Sequence, residues 1–375
     1  MAKVLFYSEA WGKGGIETFI LNVSPLLVKD GCQVSIFSTW EWPNMDDSML
    51  DEYGIQRFTV FHGYKPGQVK RIKRGVQAFG TLLDASSYDA VWINTMNGVG
   101  FLYAREAARA GVPIRVVHSH NSDVGDGAKA LKRLVSRAAS SLWRNYATAN
   151  ISCSKAAGEH LFGDESFTVI NNGIDIEKFR YSDEKRNKVR RELGIPDDAV
   201  LLGNIGRIAS QKNPLFQVKV FAEYKKIDSS AHYLFVGKPD MADAVRQYAS
   251  ELGVNESIII HAPVSDTSPY YCALDAFLMP SLYEGLGFAK VEAQCASLPV
   301  LCTDTMPVEA DITDLVRHGS LDDDAMVWAK QLHELVQLFS HKRKGTYADR
   351  VVAAGFSVKS CESAVLDILK GTTNE

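Results

Sequence analysis

The chain has no apolar run long enough to cross a bilayer. Its longest stretches, around Val200–Leu202 and Ile258–Ile260, fall far short of the ~20 residues that a spanning helix needs. It has no C-x-x-C pair. The six cysteines (Cys32, Cys153, Cys272, Cys295, Cys302, Cys361) are scattered, so no metal site and no disulfide framework are expected, and reduced thiols are the default. It shows no secretory leader, because Met1-Ala-Lys-Val-Leu-Phe-Tyr7 runs directly into a strand. It has no basic excess either. A formal net charge of -4 gives no general pull toward nucleic acid, and none is expected as a partner. Internal repeats and low-complexity segments are also missing. These absences leave a soluble or peripheral cytoplasmic protein as the expectation.

What is present is enough for two cores. With 375 residues, 46% of them hydrophobic and 23% charged, two domains of roughly 150–200 residues are expected. Strand, loop and helix alternate along both halves, which calls for an α/β architecture of two doubly wound parallel sheets. In the first half the strands read as Lys3–Tyr7, Gln33–Thr39, Ile55–Phe61, Ala90–Asn94 and Ile114–His118. In the second they read as Val200–Asn204, His232–Val236, Ile258–His261, Asp275–Met279 and Val300–Cys302. The charge-rich segment from Tyr181 to Leu193 precedes Gly194-Ile195-Pro196, which restarts the fold and sets a boundary near 183.

The stretch with the most chemistry is Pro280-Ser-Leu-Tyr-Glu284-Gly-Leu-Gly-Phe-Ala-Lys-Val-Glu292-Ala-Gln294. A buried strand leads into a loop containing Gly285 and Gly287, and a helix begins near Phe288. The first N–H groups of such a helix are unpaired and suit a phosphate. Glu284 and Glu292 are carboxylates that can accept polyol hydroxyls. In the other loop of this half, Arg207 and Lys212 lie between a strand and a helix. A guanidinium fork and an ammonium match the charge of a pyrophosphate without a metal, although a plain surface pair would look the same.

The first half opens with a glycine-rich βα turn, Gly12-Lys-Gly14-Gly15-Ile-Glu17, that does not fit G-x-G-x-x-G. Glu41 follows the second strand and keeps a dinucleotide site in play. His118 and His120 lie at the tip of the fifth strand, and adjacency leaves them hard to separate. Two segments are basic. One is 65–74; the other, 129–144, reads as a helix with Leu131, Leu134, Val135, Ala138 and Leu142 on one side. Such a helix lies against anionic lipid or stands as a solvated outer face. Asp322-Asp323-Asp324 resembles a metal-binding D-x-D, but it directly precedes a helix, where acidic residues are a routine cap.

The Glu284-to-Glu292 stretch, its Pro-Ser-Leu-Tyr lead-in and Leu298-Pro299-Val300 resemble the E-x7-E signature of retaining glycosyltransferases of family 4 (glycosyl transferases group 1), of the bacterial capsule and exopolysaccharide type. Gly287 stands where relatives often have proline. The resemblance extends from Gly14 to the last helix and implies the GT-B fold. It implies an acceptor-side domain at 1–182, completed by a C-terminal helix at about 357–375, and a nucleotide-sugar domain at 183–356.

By that resemblance the partners are a nucleotide sugar, most often UDP-linked, and a glycan or lipid-linked acceptor, with no metal or other cofactor. Glu284 holds the donor sugar and Glu292 the ribose, while Arg207 and Lys212 clamp the diphosphate. Gly14, Gly15, Glu17, Gly285, Leu286, Gly287 and Phe288 line the donor, Val264 stands near the base, and His118 or His120 stands near the transferred sugar. Attachment to the inner face of the membrane runs through the two basic segments. A sugar-nucleotide epimerase of the same fold, or a non-catalytic partner subunit, are the alternatives.

Overall fold

Runs such as Val4-Leu5-Phe6-Tyr7 and Phe277-Leu278-Met279 carry no polar alternation, as expected of strands covered on both faces. In the computed structural model they form the centres of two parallel sheets. The structure describes residues 2–12, 14–43, 45, 47–120, 129–284, 286–339, 343 and 346–371, side chains at 129–133 excepted. The chain divides into two compact units, Met1–Gly173 with Val358–Glu375, and Ile174–Ser357.

The first unit contains β1 (Lys3–Trp11), β2 (Gln33–Glu41), β3 (Gln56–Phe61), β4 (Ala90–Thr95), β5 (Ile114–Ser119), β6 (Ala149–Ser152) and β7 (Thr168–Val169). Their order is β3-β2-β1-β4-β5-β6-β7, all parallel. The winding therefore reverses between β1 and β4, and ligands of such sheets bind beyond the strands' carboxyl ends at that point. One face of the sheet (Val4, Phe6, Trp92, Val116) packs on Phe19, Ile20, Val23 and Leu27 of the helix Gly15–Lys29. Cys361, Val365, Ile368 and Leu369 of the last helix, Val358–Leu369, join the same core. The other face (Leu5, Tyr7, Val91, Ile93) packs on Phe79 and Leu83, and on Phe101, Tyr103 and Ala104. Each such side chain contributes roughly 1.5–3 kcal/mol by leaving water.

The second unit contains β8 (Leu201–Ile205), β9 (His232–Val236), β10 (Ile258–His261), β11 (Ala276–Met279), β12 (Val300–Thr303) and β13 (Val316–Gly319). The order is β10-β9-β8-β11-β12-β13, again parallel, with the reversal between β8 and β11. Phe277 and Met279 face Val291 and Cys295, whereas Ala276 and Leu278 face Val218, Phe221, Trp328 and Leu332.

The passage from the first unit to the second falls at Gly173–Ile174 rather than near 183. The reason is local: Ile176 and Phe179 are buried in the second unit's core. The charge-rich segment is itself a helix, Asp183–Glu192, whose Arg186 and Arg190 both reach the Asp275 carboxylate, at 2.7 and 3.1 Å. Those two guanidinium groups are spent inside that unit, while Asp183, Glu184, Lys188, Arg191 and Glu192 are exposed. The three aspartates at 322–324 precede the helix Ala325–Phe339, and the Asp324 carbonyl accepts from Val327 N–H at 2.9 Å. No helix among the described residues is long and apolar enough to cross a membrane.

Candidate functional site

The loops after β8 and β11 meet at the second sheet's reversal point. Asn204 Nδ2 donates to Leu278 O at 2.8 Å and ties the two strands together. Beyond them, Leu282 N–H donates to Gln211 O at 2.8 Å and Gln211 Nε2 donates to Tyr283 O at 3.0 Å. This double link brings Lys212 Nζ within 2.6 Å of Glu284 Oε1, with only 16% and 10% of the two side chains exposed. From behind, Gln217 Nε2 holds the Lys212 carbonyl at 2.6 Å, and the buried Tyr233 hydroxyl fixes Gln217 Oε1 at 2.7 Å. Lys212 ends a single 3-10 turn, and Asn213 follows with a left-handed φ of 52° before Pro214 opens the next helix.

Arg207 is on the same loop but is differently placed. Its side chain is 56% exposed, and its Nε lies 3.9 Å from Asp240 Oδ2. The loop itself is fixed by a close approach, since a Cβ on Gly237 would lie 2.0 Å from the Gly206 carbonyl oxygen.

Glu292 is one turn into the helix Phe288–Cys295. Its Oε2 accepts from the Tyr271 hydroxyl at 2.6 Å. Burial pushes its carboxyl above the ordinary range, and the Tyr271 bond and the charges of Lys178 and Lys212 offset part of that. Gly287 caps this helix with φ of 82°, Phe288 is its first residue, and the Leu286 side chain is buried in the core. Val264 packs partly buried against that core in the loop after β10. Gly285 lies outside the described residues.

In the first unit Gly14 is the N-cap of the helix Gly15–Lys29, and both glycines are exposed. Glu17 turns back over them. Its carboxylate is hydrogen bonded to the backbone of Gly14 and to its own amide, the reach-back half of a capping box. Burial raises its pKa to about 7. A Cβ on Gly14 would meet Glu17 Oε2 at 2.7 Å, so a side chain there would push the Glu17 carboxyl aside.

The two histidines separate clearly. His118, in β5, is fully buried among Trp92, Phe19 and His120. Its Nδ1 accepts from Trp92 Nε1 at 3.2 Å, which puts the proton of the neutral ring on Nε2, an atom with no partner among the described residues. His120 lies just past the strand, half-buried, with Nε2 2.8 Å from Asn94 Oδ1. Asn94 in turn donates to Tyr7 O at 3.1 Å, so His120 is mounted on the β4 and β1 strands at the first reversal point. Burial lowers both histidines, His120 to about 3.

The basic segments differ from one another. At 65–74, Arg71 is used internally by Glu9 (2.9 Å), and Lys65 and Lys70 sit over the Trp40 and Phe61 rings. The helix Lys129–Trp143 turns Ser136 and Ala139 inward and leaves Leu134 and Leu142 65% and 66% exposed. Lys129, Lys132, Arg133 and Leu131 lie outside the described side chains, while Arg144 pairs with Glu165 at 3.1 Å.

The structure thus joins Lys212, Glu284 and Glu292 in one unit with Arg207 on the adjoining loop. Tyr271, Gln211 and Gln217 complete that group without any local signal in the sequence. Tyr271 precedes Glu292 by 21 residues in a different helix, and nothing in its own neighbours marks it as polar-facing.

Two family models match, one to each unit. Residues 13–178 match glycosyltransferase family 4, and residues 185–353 match glycosyl transferases group 1. EpsF of Bacillus subtilis (strain 168), named as a glycosyltransferase, is 26% identical over 100% of this chain and 97% of its own. An Escherichia coli relative named UDP-Gal:alpha-D-GlcNAc-diphosphoundecaprenol alpha-1,3-galactosyltransferase is 30% identical over 36% of this chain and 35% of its own. Among solved structures, Anabaena Alr3699/HepE in complex with UDP and glucose superposes with a TM-score of 0.78 at 17% identity, covering 99% of this chain and 100% of that one.

Proposed function

The chain belongs to glycosyltransferase family 4, with the two Rossmann-like parallel-sheet units of the GT-B fold, and from that premise we propose a specific transfer. A glycosyl unit passes from a UDP-linked sugar to a hydroxyl of a glycan or lipid-linked acceptor, with retention at the anomeric carbon, in polysaccharide biosynthesis. The observation that carries this is the Lys212–Glu284 contact at the second sheet's reversal point, with Arg207 on the same loop.

The chemistry needs a diphosphate to leave an anomeric carbon. Negative charge grows on the leaving oxygens, and fixed cations and N–H dipoles stabilise it most when little water is present. Lys212, Arg207 and the helix start at Gly287–Phe288 supply those groups, and two cations carry the diphosphate's charge without a metal ion. Glu284 accepts hydroxyls of the sugar, and Glu292 those of the ribose. The acceptor oxygen attacks from the leaving-group face. The new C–O bond forms as the bond to the diphosphate breaks, and the acceptor proton moves to the departing phosphate oxygen. Within the first unit, Gly14, Gly15 and His120 are the groups offered to ligand, and His118 supports His120 from within the core.

The relatives support donor and acceptor class: one structure holds UDP and glucose, and one relative is named for a UDP-galactose donor and a diphosphoundecaprenol-linked acceptor. The solvent-facing Leu134, Val135 and Leu142 support peripheral attachment to an anionic lipid surface. Incubation with labelled UDP-sugars, with and without a lipid-linked acceptor, tests the reading. UDP released only with a productive acceptor, and a product of unchanged anomeric configuration, is the expected result. An altered free UDP-sugar would identify an epimerase instead.

A further inference from the structure

We propose that Tyr271 is a positioning residue that fixes the Glu292 carboxylate and presents its Oε1 to the donor's ribose. The inference rests on the reading that Glu292 meets the ribose, and it concerns how the carboxylate is held there. Tyr271 is fully buried, and its ring packs edge-on to Phe179 at 5.8 Å and tilted on Phe277 at 5.6 Å. Its hydroxyl therefore has one place to be, and there it donates to Glu292 Oε2 at 2.6 Å. Glu292 Oε1 has no hydrogen-bond partner among the described residues, and it is not among the side-chain atoms sealed from solvent without one.

The two helices that carry this pair are held by the same guanidinium. Arg343 Nη2 donates to Tyr271 O at 2.8 Å and to Ala296 O at 2.9 Å. Ala296 is the C-cap of the Glu292 helix, so one partly buried arginine fixes the phenol's helix against the carboxylate's helix. Nη1 of Arg343 adds Cys272 O at 2.8 Å and the Leu274 carbonyl. An unrestrained glutamate would lose side-chain freedom each time a ligand bound; this one has lost it already.

A carboxylate with two open oxygens can take one hydroxyl of a vicinal diol on each. With one Oε2 site taken by the phenol, Oε1 is the oxygen left without a donor among the described residues, and its direction is set. Selectivity for a ribonucleotide over its 2'-deoxy form then depends on the phenol as well as on the glutamate. The groups facing Glu292 are Tyr271, Lys178, Lys212 and the Cys295 thiol. The phenol and the two lysines favour the ionised carboxylate, so loss of the phenol moves the carboxyl's protonation to higher pH.

Calorimetric titration of the full chain with UDP and with 2'-deoxy-UDP tests this without knowledge of the sugar or the acceptor. Tyr271→Phe keeps the ring and removes the donor. It is expected to weaken UDP binding about tenfold while changing 2'-deoxy-UDP binding less than twofold, as loss of a hydrogen bond to a charged group implies. The acid limb of UDP affinity should also move to higher pH. Fluorotyrosine at 271, a stronger donor of nearly the same shape, should move that limb the other way.

Equal weakening of both nucleotides, or no change in either, overturns the inference if Glu292→Ala abolishes the preference for UDP. If Glu292→Ala keeps that preference, the ribose assignment itself fails, and the inference falls with it.

Discussion

Lys212 Nζ and Glu284 Oε1 are 2.6 Å apart at the carboxyl ends of β8 and β11, in loops that also share two main-chain links. Each side chain sets the other's position, and a donor entering the site meets them already aligned. Lys212→Ala should lower kcat by on the order of 10²–10³, the usual consequence of losing one preorganised charge at a developing anion. It should also lower the melting temperature, because the mostly buried Glu284 carboxylate loses its ammonium partner. Glu284→Gln should lower kcat comparably. The double variant should lose far less than the product of the two, since the residues act as one unit. Steady-state kinetics on all four proteins, with melting curves, check this.

Arg207 makes the opposite prediction for stability. Its side chain is more than half exposed, and Asp240 lies at 3.9 Å. Arg207→Ala should leave the melting temperature of the free protein unchanged within about a degree, as surface substitutions usually do. UDP should then raise that temperature less than it does in the parent. Arg207→Lys should recover only part of the affinity, because an ammonium cannot reproduce the guanidinium fork. A thermal shift series in UDP reads both effects.

How far the sequence speaks can be judged from particular residues. The strands are legible because parallel strands buried on both faces are continuous apolar runs, and Phe277–Met279 is such a run. Glu284, Arg207 and Lys212 are legible because strand–loop–helix turns place loop residues at the carboxyl edge, and Glu292 because it lies one turn into the helix that follows. Strand β13 is not, since Val316-Arg317-His318-Gly319 has no apolar pattern and is a strand through pairing with β12. The segment Asp183–Glu192 reads as a charge-rich boundary because its charges outnumber its apolar residues, yet it is a helix whose Arg190 is 1% exposed and held through Nη1 and Nη2 by Asp275 and by the carbonyls of Ala273, Pro196 and Ala199. Partners brought together by tertiary packing, such as Tyr271 and Glu292, leave no spacing to detect. The His118 and His120 question also needed three dimensions, because strand alternation does not say where a strand ends.

Glu17 should make stability depend on pH in a direction unusual for a carboxylate. Burial raises its pKa from 4.5 to about 7 in the folded chain. Below pH 4.5 folded and unfolded chains are both protonated and nothing is lost. Between 4.5 and 7 the unfolded chain ionises first, and above 7 the full penalty, about 3 kcal/mol, applies. Glu17→Gln retains the reach-back cap and removes the charge. It should therefore raise stability at pH 8 and leave it nearly unchanged at pH 4.5, as denaturant unfolding at the two pH values would show.

The buried histidines should work the other way. His118 and His120 are neutral in the folded chain, with His120 lowered to about 3. The unfolded chain takes up protons near 6.5 and the folded chain does not, so stability falls as pH drops below 6.5 toward 3. Over that range Glu17 and the histidines oppose each other, and variants rather than the parent's profile separate them. His120→Gln should flatten the acid slope by one proton, while the pH 8 behaviour stays that of the parent. Melting temperatures measured from pH 4 to 8 provide the slope.

Gly287 is the position where relatives often carry proline, and here the backbone has a φ of 82°. Proline's ring fixes φ near −65°, so proline does not fit this loop without rebuilding it. A Cβ at 287 would lie 2.5 Å from Met306 Cε, a second obstacle of a different kind. The two can be told apart. The methionine methyl is the end of a flexible side chain and can turn away, whereas the positive φ disfavours any L-residue by roughly 1–2 kcal/mol. Gly287→Ala should therefore destabilise by about that amount, and adding Met306→Ala should not restore it. Gly287→Pro should cost more and should also weaken UDP binding. The Gly287 carbonyl accepts from Lys290 N–H at 2.8 Å, so moving it tilts the helix start proposed to face the phosphates. If Met306→Ala fully rescues Gly287→Ala, the cost at 287 is the contact with Met306 rather than the positive φ.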